Sequence, residues 1–293
     1  MTSLVDALAQ GPVVLDGGLG TLLESEGHDL SSDLWSARLL VENPDAIRRA
    51  HEQFFAAGAQ VAISSSYQVS FEGLARRGIG GADAERLLRL SVQLALDARP
   101  DGDRWVAASV GPYGAMRADG SEYRGDYGLT VDELRAWHRP RMRVLADSGA
   151  DALAIETIPC LTEVEAVLAE LHDTRHPGWL AVTAARGVLR SGESLAEAYA
   201  LADAVDEVVA VGINCADPDD VAAAIDAARS VTAKRLVVYP NSGERWDAKN
   251  RAWLGDPGFS DAQVHDWIAA GARLVGGCCR VGPEQIRRIA ALT

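Results

Sequence analysis

Eight short apolar runs recur along the chain, separated by longer amphipathic stretches. The runs are PVVLDGG (12–18), AQVAISSSYQ (59–68), RWVAASVGP (104–112), ADALAIETIP (150–159), GWLAVTAARG (178–187), EVVAVGINCADP (207–218), RLVVYPNSGE (235–244) and ARLVGGCCRVGP (272–283). Each is rich in Val, Ile and Ala without strict polar alternation, the pattern of parallel strands buried on both faces. Between them lie 3.6-period stretches, among them 43–58, 130–149, 161–173 and 217–231. Several of these open on a cap residue with an early acid, as in Thr130 with Glu133 and Ser260 with Asp261. Strand and helix alternating eight times over roughly 250 residues predicts an α/β fold, a single-domain (β/α)8 TIM barrel spanning 1–293. A doubly wound open sheet is the competing arrangement. The two long insertions, 19–42 and 113–129, each follow a strand.

Polar residues collect at the C-terminal ends of these runs: Asp16, Ser64 to Gln68, Glu156 with Thr157, Asn214 with Cys215, Asn241 with Ser242, and Cys278 with Cys279. In a barrel those ends form the face that carries chemistry.

Composition narrows the classes. A hydrophobic share of 48% is ample for a core, and the formal net charge of -14 has no Lys/Arg cluster to interrupt it, which argues against nucleic-acid binding. No apolar run reaches the roughly 18 residues that a membrane span needs, and the start lacks a basic segment followed by an apolar one. A cytoplasmic protein, monomeric or weakly dimeric, is expected. Thiols are kept reduced in that compartment, which favours a metal site over disulfides.

Only 4 cysteines occur, and two are adjacent in GGCCRVGP (276–283). Adjacent cysteines rarely bond to each other, because the ring closed through one peptide bond is strained. They can share a metal ion if the chain turns sharply, which the preceding Gly276-Gly277 permits. Taken alone, such a pair is more often two small buried hydrophobes. The strand-end placement changes the balance, because the sixth and eighth strands are near neighbours in a barrel and Cys215 can converge on the pair. Three thiolates suit zinc, and three protein ligands leave a fourth position open, as in catalytic sites. Phosphate-binding and dinucleotide glycine patterns are missing. His51-Glu52 lacks the second histidine of H-E-x-x-H, and none of the 6 histidines sits at a strand end.

The chain resembles the homocysteine S-methyltransferase family. The resemblance is carried by LDGGLGTLLESEG (15–27), LWSARLLVENP (34–44), SSSYQVS (64–70), SVGPYGA (109–115), DGSEYRGDY (119–127), ETIP (156–159), GINCADP (212–218), YPNSGERWD (239–247) and GGCCRVGP (276–283). The strings around 119–127 and 239–247 look most like the branch using S-methylmethionine or S-adenosylmethionine. Ala216 departs from the Thr or Ser usual there. The resemblance implies Zn²⁺ on Cys215, Cys278 and Cys279, with homocysteine as acceptor and methionine as product. It also implies that Asp16 and Glu156 hold the substrate ammonium by charge-assisted hydrogen bonds.

Competing local roles are a helix N-cap for Asp16 and an ion pair for Glu156. Trp35, Tyr113 and Tyr123 can face a sulfonium by cation–π attraction, or simply pack. Glu122 and Arg124 can meet the charged ends of the donor, or belong to an acidic rim loop. Asn214 and Asn241 can bind a carboxylate, orient the cysteines, or make loop bonds. Cys160 is expected to stand apart. Betaine as donor, selenocysteine as acceptor, and a non-enzymatic zinc or redox-sensing module are the alternatives.

Overall fold

The structure is a computed structural model describing residues 2–30, 35–247, 252–255 and 258–293, without the side chains of 35–37, 245–247 and 252–254. Each apolar run contains one strand of a single parallel sheet. We number them β1 (Val13–Val14), β2 (Val61–Ile63), β3 (Trp105–Val110), β4 (Ala152–Ile158), β5 (Gly178–Val182), β6 (Val208–Asn214), β7 (Arg235–Tyr239) and β8 (Ala272–Val275). Their spatial order is β1-β8-β7-β6-β5-β4-β3-β2. A parallel bridge between Leu15 and Val61 joins the two ends, so the sheet closes into a TIM barrel.

Parity along the strands divides the core in two. Trp105 and Ala107, Ala152 and Ala154, Trp179 and Ala181, and Val237 and Tyr239 point into the barrel with Leu15, Val61, Ala210 and Leu274. The alternate residues Val106, Ala108, Leu153, Ile155, Leu180 and Val211 belong to the larger layer between sheet and helices. Two tryptophans and a tyrosine fill the interior, and small residues opposite them leave the room. The N-terminal helix Leu4–Gln10 adds Leu4 and Leu8 to the interior layer.

The expected helices form at Pro44–Ala56, Val131–Ala146, Leu161–Thr174 and Val221–Arg229. Thr130 and Glu133 make a reciprocal capping box. At Ser260 the partner is Gln263 rather than Asp261, because only the third residue of the first turn reaches back to the cap amide. The first insertion holds the helices Leu19–Ser25 and Trp35–Glu42, and the second holds Tyr113–Arg117 and a 3-10 turn, Ser121–Tyr123.

Candidate active site

Continuing the inward parity of the strands to their C-terminal ends places Ser109, Glu156, Asn214 and Tyr239 around the barrel mouth. Cys215 follows β6 directly, with φ at 48°. Cys278 and Cys279 follow β8 after two glycines. These glycines do not take the left-handed turn expected of them. They are needed for close approach instead: a Cβ on Gly276 would lie 2.6 Å from that of Leu15, and one on Gly277 would overlap Val281. The turn itself falls at Arg280, with φ at 65°.

The segment after β7 ties the cysteine loops together. Asn241 N–H donates to Ala216 O at 2.9 Å, and Cys278 N–H donates to Pro240 O at 2.7 Å. The Asn241 side chain accepts from Cys279 N–H at 3.1 Å. The three sulfurs all lie within 4.8 Å of one another. The Cys215 and Cys278 sulfurs are in close contact, with Cα atoms 5.6 Å apart. That separation suits a disulfide as well as a shared ion, so convergence alone does not choose between them. Cys160 is buried elsewhere, at the N-cap of Leu161–Thr174, and burial pushes its thiol up to about 12.

Asp16 is 2% exposed, and its Oδ2 accepts from Ile63 N–H at 2.8 Å. It is not an N-cap, since Gly18 holds that position for Leu19–Ser25. Burial, and then the charge of Glu156, raise the Asp16 carboxyl well above the usual range. Glu156 is 7% exposed and accepts from the Ser109 hydroxyl. It also accepts from the Tyr239 hydroxyl, which in turn accepts from Trp179 Nε1 at 3.0 Å. Burial pushes Glu156 up to about 7. Two carboxyl groups held away from water, each raised, form a site that a cation would relieve.

Asn214 is spoken for. Its Oδ1 accepts from Thr157 N–H at 2.7 Å, and its Nδ2 donates to Thr157 Oγ1 at 2.9 Å. The pair holds Thr157 at φ 63°, beside a register shift in β4 between Ile155 and Ile158.

These groups border a cavity of about 310 Å³. Its lining includes the carboxylates of Asp16, Glu24, Glu122 and Glu156 and, among the described residues, no Lys, Arg or His. Three buried lining atoms lack a hydrogen-bond partner: Ser65 Oγ, Gln68 Oε1 and Glu122 Oε2. Glu122 and Tyr123 reach the cavity from the second insertion, and burial raises the Glu122 carboxyl. Tyr113 does not line it. Its ring meets Tyr127 and Trp137 edge-on, at 5.3 Å and 5.1 Å. Arg124 turns to Asp119 and Asp126. Trp35 opens its helix, and its side chain lies outside the described residues. Residues not singled out from sequence are Ser109 and Tyr239. Inward parity at a strand end is the signal that would have found Ser109 and Tyr239.

Comparison with known proteins matches residues 13–293 to the homocysteine S-methyltransferase family. The chain is 43% identical over 296 residues to homocysteine S-methyltransferase YbgG of Bacillus subtilis, covering 95% of this chain and 93% of that one. It is 45% identical over 303 residues to homocysteine S-methyltransferase of Escherichia coli, covering 96% and 95%. A selenocysteine Se-methyltransferase of Brassica oleracea is 42% identical over 305 residues, covering 95% and 88%. Among solved structures, the homocysteine methyltransferase MmuM from Escherichia coli in its metallated form superposes with a TM-score of 0.85 at 42% identity, covering 97% of both chains. Its oxidized form gives 0.88 at 41% identity, covering both chains in full.

The raised Glu156 carboxyl makes stability depend on pH. Its folded value of about 7 exceeds the ordinary 4.5, so the stabilisation is fully present below about 4.5 and is lost as pH rises through about 7. Ionising it costs the substrate-free fold about 3 kcal/mol. Glu156→Gln removes the charge, so the variant should gain stability relative to wild type as pH goes from about 5 to 8. Urea unfolding of both proteins across that range checks this, and a difference that does not change with pH overturns it.

Proposed function

This chain belongs to the homocysteine S-methyltransferase family, and from that premise we propose that it transfers methyl from a sulfonium donor to homocysteine at a zinc site. The donor is S-methylmethionine or S-adenosylmethionine, and the product is methionine. The observation that carries this reading is the meeting of three cysteine sulfurs with two buried carboxyl groups at one acidic barrel mouth.

The donor set fits zinc. Three convergent sulfurs supply the ligands of a three-cysteine site, and the neighbouring cavity leaves space for a fourth. Zinc bound by Cys215, Cys278 and Cys279 would supply a Lewis acid that keeps a substrate thiol deprotonated at neutral pH. This use requires both sulfurs of the Cys215–Cys278 pair to be reduced.

Asp16 and Glu156 take the homocysteine ammonium, and its charge draws both carboxyls back toward their ionised forms. Ser109 and Tyr239 hold Glu156 in place, and Asn241 holds the backbone of Cys279. The donor occupies the side bordered by Tyr67, Glu122 and Tyr123, where rings and a partnerless carboxylate oxygen favour positive charge. The methyl–sulfur bond of the donor breaks as a bond to the homocysteine sulfur forms, and the donor leaves as a neutral thioether. The residues contribute alignment, because the attacking sulfur, the methyl group and the leaving sulfur must lie in line. Betaine is a poor fit because its methyl leaves from nitrogen.

Selenocysteine is a second acceptor to consider, on the strength of the relative named for that activity. We place the enzyme in the cytoplasm as a monomer or weak homodimer. Among the described residues no helix is long and apolar enough to cross a membrane.

Metal analysis of purified protein should find one zinc per chain. Cys215→Ser, Cys278→Ser and Cys279→Ser should each lose it, while Cys160→Ser keeps both zinc and activity. Full retention in the first three removes the site.

Methionine formation from homocysteine should be assayed in parallel with S-methylmethionine, S-adenosylmethionine and betaine. A sulfonium compound should win, and preference for betaine would overturn the donor assignment. Glu122→Gln should raise the KM for S-methylmethionine by about tenfold, with little change for homocysteine. Asp16→Asn should do the reverse.

A further inference from the structure

Outside the cavity, three ionisable side chains are buried together beneath the second insertion. Glu163, in the first turn of Leu161–Thr174, and His138 and Arg141, on Val131–Ala146, are all almost inaccessible to water. Arg141 donates to His138 Nδ1 at 3.0 Å, so that nitrogen accepts and His138 Nε2 carries the hydrogen given to Glu163 Oε1 at 2.9 Å. Burial pushes His138 down to about 4, consistent with a neutral ring. The Arg141 guanidinium also lies 4.3 Å from the centre of the Trp137 ring.

A buried cluster of this kind is seldom a net gain over a well-packed apolar one. What it touches explains its presence. Glu163 Oε1 also accepts from Tyr113 N–H at 2.6 Å, and Arg141 donates to Gly111 O. These backbone groups flank Pro112, where the chain leaves β3. Neither has a partner of its own there: the strand has ended, and the first amides of a helix find no intrahelical acceptor. The cluster therefore fixes both sides of one turn.

Two close approaches carry that turn into the cavity wall. At Gly111 a Cβ would lie 2.6 Å from the Tyr67 ring and backbone. At Gly114 a Cβ would collide with the Glu122 amide nitrogen. Tyr67 and Glu122 both line the cavity. Backbone is thus packed directly against both residues, with no flexible side chain between.

We propose that Glu163, with His138 and Arg141, is a positioning device for the donor half of the cavity, acting through the 111–113 turn on Tyr67 and Glu122. It rests on the assignment of that half to the sulfonium donor. None of the three side chains lines the cavity.

The test uses the metal-loaded full-length enzyme, with S-methylmethionine and homocysteine varied separately. Glu163→Gln should raise the KM for S-methylmethionine about tenfold and that for homocysteine less than about twofold. Tyr113→Pro and Tyr113→Ala supply a second comparison. Both remove the ring, but only proline removes the N–H that Glu163 accepts, at a first helical position where proline is tolerated. Proline should show the donor effect beyond that of alanine. Amide exchange of residues 111–127 in substrate-free protein should quicken in Glu163→Gln and Tyr113→Pro while β3 and β4 stay protected.

Equal rises in both KM values, or slow exchange in both variants, overturn the proposal. An unchanged donor KM in Glu163→Gln, with the effect present in Glu122→Gln, also overturns it and leaves the donor assignment standing. If Glu122→Gln itself has no effect, the donor assignment falls. The exchange measurement then decides alone whether the cluster holds the turn.

Discussion

The closure of the sheet is the constraint on which the site depends, and Asp16 sits at its seam. Leu15 N–H donates to Val275 O, and Asp16 N–H donates to Val61 O, so one short strand spans β8 and β2. Asp16 O then accepts from Gly277 N–H, directly before the cysteine pair. The same residue thus locks the barrel with its backbone and offers its carboxyl to the mouth. An open sheet of the same strands would leave β1 and β2 at opposite edges, and Asp16 would have no Ile63 amide to hold its carboxyl.

Around this seam the protein accepts electrostatic costs that its fold alone would not select. Asp16 and Glu156 are both deprived of water and both resist ionisation. Ser109 and Tyr239 soften the cost at Glu156 with two hydroxyl donors, and the Ile63 amide does the same at Asp16. These partners are neutral and leave the charge uncompensated. On the proposed reading, the missing positive charge is what an amino-acid substrate would bring. Tension of this sort, concentrated at one end of an otherwise apolar barrel, marks where binding and stability pull apart.

The strands were legible because burial on both faces leaves an unbroken apolar run, whatever the neighbours are. The mouth residues were legible as polar interruptions at the ends of those runs. Partners were not. That Glu156 would meet Tyr239 depends on which strands face each other across the interior, and no local pattern encodes that. Asn214 looked equally suited to substrate and to a loop; it pairs with Thr157 beside the register shift in β4, which sequence does not announce. Tyr113 carried the right chemistry at the right strand end. Its ring nevertheless packs against Trp137, and Tyr123 is the ring of this insertion that lines the cavity.

The acidity of the cavity bears on how a turnover ends. With carboxylates as its only charged lining side chains among the described residues, the wall attracts whatever carries excess positive charge. A sulfonium amino acid arrives with one more positive than negative group and departs as a zwitterion of no net charge. With the proposed sulfonium donor, the reaction would therefore extinguish the attraction that admitted it. The spent molecule is held less tightly than the one it replaces, so fresh donor outcompetes it for the pocket. On the proposed donor assignment, exchange of spent for fresh donor would thereby be favoured by electrostatics, without any moving part.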